Sequence, residues 1–187
     1  MSKSPEHPKR LLDMWQVKAV SPDGSTTARL SRKDGMRIEF DPRAIGRHSE
    51  DSLSQQVTAA VAGTQKGQAK AFDALVQRAL RRNDLEPAER GAGDSPAARR
   101  QRRVVAARDE VEVRSMSPRR LVRVLLRGDG QVRFDIAPGS LRDADVTLET
   151  LAEEACEAYQ KAQRECSEAV LESRQAVLEA IKKEEKR

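Results

Sequence analysis

Two stretches of the chain alternate apolar and polar residues with a period of two. In the first, Ala28 and Leu30 are followed across a turn by Met36, Ile38 and Phe40. That alternation predicts half-buried strands. Asp34-Gly35 between them suits a tight hairpin, because glycine tolerates positive φ. Asp41-Pro42 ends the second strand, since proline cannot donate to a ladder. Residues 16–20 read as an earlier strand, joined through the turn signal Ser21-Pro22-Asp23-Gly24. The prediction is a three-stranded antiparallel meander.

The second stretch repeats the first. Sliding the chain by 96 residues pairs Val17 with Val113, Ser21-Pro22 with Ser117-Pro118, Leu30 with Leu126, Arg37 with Arg133 and Pro42 with Pro138. Residues 111–116, 121–126 and 131–136 are its predicted strands. The two Asp-Gly pairs fall one residue out of step, so an extra residue is expected in one turn. A period this long points to a duplicated unit and not to a solenoid. Each meander alone leaves open edges, so the two are expected to join in one sheet.

Between and after the meanders the period changes to that of a helix. Leu53, Val57, Ala60, Val61, Thr64, Ala71, Leu75 and Leu80 predict a long helix ending at Arg82, with Ser49 or Asp51 as its cap. Gly63 and Gly67 inside it suggest close packing against a neighbour. Residues 9–15 predict a short helix with Leu11, Leu12 and Trp15 on one face, and residues 98–110 a basic helix. After Asp143 there is neither glycine nor proline, and Leu148, Leu151, Ala155, Ala158, Ala162, Cys166, Ala169, Ser173, Val177 and Ala180 keep helical spacing. That predicts one helix of about 35 residues, or roughly 50 Å. An alanine-rich seam of that length suits packing against another helix or chain, with the segment beyond Ser173 as a solvated tail in the alternative. The fold class is therefore α+β. Two copies of a helix–meander–long helix unit occupy residues 9–82 and 98–187, with residues 83–97 as the linker, and the last helix is extended.

Composition narrows the function. Charged residues make up 35% of the 187, and aromatics only 3%. Residues 1–142 carry 28 Lys and Arg against 18 Asp and Glu, whereas residues 143–187 carry 7 against 12. The body is basic and the C-terminal helix acidic. No apolar run is long enough to span a membrane, and no signal-peptide core is present, so a cytoplasmic location is expected. Cys156 and Cys166 lie ten residues apart on one helix, about 15 Å, too far to bridge within it. They read as reduced core residues, with a disulfide between chains as the alternative. His7 and His48 have no recognisable acid partner nearby in sequence, and no phosphate-binding glycine loop or metal-ligand spacing is present. No enzyme, cofactor or metal site is expected.

At this point the chain resembles the YbaB/EbfC family of bacterial nucleoid-associated proteins. The residues that carry the resemblance are Val20-Ser-Pro-Asp-Gly-Ser, Arg37-Ile-Glu-Phe-Asp-Pro-Arg-Ala-Ile and Val57-Thr-Ala-Ala-Val-Ala. In the second copy they are Val132-Arg-Phe-Asp-Ile-Ala-Pro-Gly-Ser-Leu and Leu151-Ala-Glu-Glu-Ala. The resemblance implies a homodimer-like arrangement with protruding helices, made here by one chain as a pseudo-dimer, and binding to double-stranded DNA in the nucleoid. Relatives of this fold beside type VII secretion loci imply a second reading. In it the chain is a protein-interaction module that uses its C-terminal helix toward a homodimer or partner protein.

The basic segment is the candidate site. Arg99, Arg100, Arg102, Arg103 and Arg108 fall within about three helical turns, and Arg119, Arg120 and Arg123 carry charge on into the second meander. Clustered arginines neutralise phosphates and release counterions. With few aromatics to stack on bases, double-stranded DNA bound through its backbone fits better than single strands. The same arginines could instead pair with the acidic C-terminal helix.

Overall fold

The structure, a computed structural model, describes residues 16–82 and 95–184. It is α+β. The first part comprises β1 (Gln16–Val20), β2 (Thr26–Ser31), β3 (Gly35–Phe40), the one-turn α1 (Pro42–Ile45) and the long α2 (Glu50–Arg82). The second comprises α3 (Pro96–Asp109), β4 (Glu112–Met116), β5 (Val122–Arg127), β6 (Val132–Ile136) and the long α4 (Leu148–Glu184). The helix expected over residues 9–15 and most of the linker lie outside the described residues. Pro96 and Ala97 belong to α3 and not to the linker, because Ser95 caps that helix and Pro96 occupies its first turn.

The alternation is realised as drawn. Ala28, Leu30, Met36 and Ile38 turn inward in one meander, and Val122, Val124, Leu126, Val132, Phe134 and Ile136 in the other. The registers coincide at a spacing of 96 residues. Val17 faces Leu30 as Val113 faces Leu126, and Leu30 faces Met36 as Leu126 faces Val132. The hairpin turns are therefore equally long, and the extra residue expected from the Asp-Gly offset is absent. What differs is where positive φ falls, at Gly35 in one turn and at Gly130, one position earlier, in the other.

The meanders do not join. They form two separate three-stranded sheets, β1-β2-β3 and β4-β5-β6. Helix side chains take the place of a neighbouring strand. At the edge of β6, Thr58 Oγ1 accepts the Phe134 N–H at 3.0 Å, and Ser54 Oγ accepts the Ile136 N–H at 2.9 Å. Both hydroxyls donate to carbonyls four residues back in α2, which leaves a lone pair for the strand. Glu50 Oε1 accepts the N–H groups of Gly139 and Leu141 just beyond. At the edge of β3, Cys156 stands near the Ile38 N–H, which lowers its thiol pKa against the larger effect of burial.

These contacts follow from how the helices cross. Helix α2 packs on β1 and β2 and reaches over to β6, while α4 packs on β4 and β5 and reaches over to β3. One apolar core results, holding residues of both sheets and both long helices, with Phe134 stacked on Tyr159 at 6.1 Å. Such sharing relieves the shortage of buried surface that either half would have alone. Gly63 and Gly67 let α2 lie directly on β1, since a Cβ there would stand 2.8 Å from Ala19 Cβ and 2.6 Å from Val17 Cγ1. No helix among the described residues is long and apolar enough to cross a membrane.

Candidate nucleic-acid interface

Helix α3 begins where Ser95 Oγ accepts the Ala98 N–H. Its inner side is small and apolar. Ala98 is buried, as is Ile181 on α4. Val104 and Val105 line, with Val170 and Leu178, a shallow trough of about 420 Å³ between the two helices. The Ser173 hydroxyl donates to the Ala107 carbonyl across the same seam. Arg100, Arg108 and Arg174 line the same trough, and Arg99, Arg100 and Arg102 are exposed.

The rest of the predicted cluster has other surroundings. Arg103 makes a fork to Glu184 at 2.7 and 3.0 Å. That hydrogen bonding raises the guanidinium pKa and lowers that of the carboxyl. Arg108 pairs with the adjacent Asp109. Arg119 and Arg120 lie in the β4–β5 turn, where the Arg119 N–H donates to the buried Glu154 and Arg120 takes a left-handed φ of 62°. Arg123 stands on the outer face of β5, opposite Met116 and Asp135. Arg99, Arg100, Arg102, Arg103 and Arg108 share α3, and Arg119, Arg120 and Arg123 lie beyond β4 in the chain. The five residues of β4 intervene, and extended chain of that length spans about 17 Å.

Helix α4 meets the expectation of a helix partner, since it packs within the chain against the sheets and α3. Beyond Ser173 it is not a solvated tail, since Ile181 is buried and Glu184 is tied to Arg103.

Two features were not visible in sequence. His48 does have an acid partner: its Nε2 lies 3.0 Å from Asp23 Oδ2, and its Nδ1 2.9 Å from Ser52 Oγ. Asp23 sits in the β1–β2 turn, brought to the start of α2 only by folding. Burial would raise its pKa, but the N–H and hydroxyl of Ser25 and the hydroxyl of Ser21 outweigh that and hold it below the usual carboxylate value. Ser52 Oγ also accepts the Ser49 N–H and donates to the Ser49 carbonyl, the bonding of a helix cap. The second feature is a row of cations on the first sheet. Lys18 faces Arg29, and Arg29 faces Arg37, on three adjacent strands. The alternation that buries Ala28 and Ile38 sends these three outward.

Both cysteines are free. Burial pushes the Cys156 thiol up to about 11, partly offset by the Ile38 N–H, and raises that of Cys166. Neither is activated as a nucleophile. Compared with known proteins, the chain matches no family model, no curated protein and no solved structure.

Proposed function

We propose that the chain is a tandem pair of YbaB/EbfC-like units folded as a pseudo-dimer. In this reading it is a non-enzymatic nucleoid-associated protein that holds double-stranded DNA by its backbone with little sequence preference. The common ladder register at 96 residues supports the duplication. So does the way each long helix crosses to the last strand of the other sheet, as subunits of a dimer exchange elements.

The observation that carries the DNA reading is the orientation of α3. On a helix seated on its neighbour through Ala98, Val104 and Val105, Arg99, Arg100 and Arg102 stay exposed, Arg100 at the rim of the α3–α4 trough. The Arg103–Glu184 pair is exposed on both sides, so a phosphate can displace the carboxylate without burying charge. An arginine surface without base-reading geometry gives affinity that is salt-dependent and nearly uniform across sequences.

Fluorescence anisotropy with a random duplex of about 30 base pairs, at about 50 and 200 mM salt, tests the reading. The intact chain should bind at the lower salt and weaken steeply at the higher. Replacing Arg99, Arg100, Arg102 and Arg103 with glutamine should weaken binding to every duplex alike and flatten the salt slope. Unchanged affinity in that variant would remove α3 as the contact.

A further inference from the structure

The outer face of the first sheet carries an arrangement that folding by itself disfavours. In β-sheets, like charges directly opposite one another are destabilising. Lys18, Arg29 and Arg37 occupy one cross-strand row, about 10 Å wide at the usual strand spacing. Charge compensation within the row is thin. Arg29 meets Glu39 at 3.2 Å, Arg37 stands 3.6 Å from Asp34, and among the described residues no carboxylate reaches Lys18. Arg29 Nε is buried without a hydrogen-bond partner, although the side chain as a whole is 40% exposed. A guanidinium has five donors, and here one stands idle beneath an open surface.

The second sheet shows the same row without this tension. Its counterpart reads Arg114, Leu125, Arg133. An apolar residue separates the cations, Arg114 is bonded to Glu112 at 2.9 Å, and Arg133 to Asp135 at 3.0 Å. Two sheets with one register thus differ where a structural account alone would have them alike.

We infer that the Lys18–Arg29–Arg37 row is a second phosphate-contact surface for duplex DNA, separate from α3. It rests on the DNA-binding reading and adds to it a rigid platform on the first sheet. The chemistry is that of three cations held at fixed spacing by strands, which receive consecutive anionic groups of a polymer. The phosphates supply the counter-charge that the chain withholds.

The test compares two double variants of the full chain by anisotropy on the same duplex. Lys18→Gln with Arg37→Gln alters two exposed side chains, so folding is retained. Each lost phosphate contact lowers the slope of log K against log salt by about 0.9. The slope should therefore shrink by about 2, and the affinity lost between about 50 and 200 mM salt should shrink about tenfold. Arg114→Gln with Arg133→Gln removes the same charge from the second sheet and should leave the slope within about 0.5 of its starting value. Equal effects of the two pairs would mean that only net charge matters, and would overturn the inference while leaving the DNA reading intact. Binding by the intact chain that neither pair disturbs would do the same. Absence of duplex binding by the intact chain would overturn both. In a single variant, Arg29→Gln should weaken DNA binding with an unchanged or higher thermal midpoint, because the like-charge row is relieved. A lower midpoint would mark Arg29 as structural and remove it from the surface.

Discussion

The two sheets share a ladder, but their helices meet them differently. On the β6 edge, Ser54 and Thr58 of α2 supply oxygens to two strand N–H groups. On the β3 edge, Cys156 is the α4 residue near the Ile38 N–H. Ala152, four residues earlier on α4 as Ser54 is four before Thr58, offers only a methyl. A cleft of about 560 Å³ remains there, lined by Ile38, Phe40, Leu148 and Ala152 among others. The helices also meet their own sheets through different residues. Gly63 and Gly67 bring α2 onto Ala19 and Val17. On α4, Glu165 takes part instead, and its carboxylate accepts a hydrogen bond from the Ser115 hydroxyl of β4. One backbone plan is thus closed once with hydroxyls and glycines, and once with a thiol, an alanine and a charged side chain. The lesson is that one register and one helix crossing accept exchangeable closures.

The largest effect should come from breaking the better-closed edge. Ser54→Ala combined with Thr58→Val leaves the N–H groups of Ile136 and Phe134 without partners in a buried setting. The expected loss is about 2–6 kcal/mol, at about 1–3 kcal/mol for each of the two orphaned donors, read by chemical denaturation. The reciprocal change, Ala152→Ser on the poorer edge, should cost nothing or stabilise by about 1 kcal/mol. A loss there comparable to the double variant would show that the two edges are not alternatives.

Next in size is Gly67→Ala. A methyl group placed 2.6 Å from Val17 Cγ1 must push α2 off β1, at about 1–3 kcal/mol. If stability instead rises by the helix-propensity gain of about 1 kcal/mol, the close approach is not needed.

The smallest effect separates the two strand-connecting turns. Asp23 holds the β1–β2 turn through Ser21 and Ser25, whereas the β4–β5 turn has Arg119 at the matching position, held through its N–H by Glu154. The Asp23 pKa is lowered in the folded chain. Its contribution is therefore present above the unfolded value of about 3.9 and lost as pH falls through the folded value. Asp23→Asn should lower stability near neutrality and make its decline below about pH 4 shallower, as followed by thermal melts across pH. An acid limb identical to that of the unchanged protein would remove Asp23 from the account.

Much of this molecule was legible in the residue pattern, for a local reason. Alternation at Ala28, Leu30, Met36 and Ile38, and again from Val122 to Ile136, permits only one inward face, so strand position and facing followed directly, whereas the turn length did not. The long helices were legible because seams such as Val57-Ala60-Val61-Thr64 and Ala155-Ala158-Ala162-Cys166 keep one spacing without interruption. Helix α3 could be located from its arginines, but which of them would face α4 could not. That depends on where Glu184 arrives, 81 residues later. The His48–Asp23 contact was hidden for the same reason, since a turn and a helix start meet only through the sheet between them. The Lys18–Arg29–Arg37 row was hidden as well, because cations on three strands become neighbours only once the ladder is set. Sequence by itself determined the strands, their inward faces and the two amphipathic helices, since each depends on neighbours a few residues away. Tertiary structure alone decided that the sheets stay apart with helix hydroxyls closing an edge, and which charges stand opposite one another. Those outcomes depend on the crossing of α2 and α4, which brings together residues some 80 to 90 positions apart.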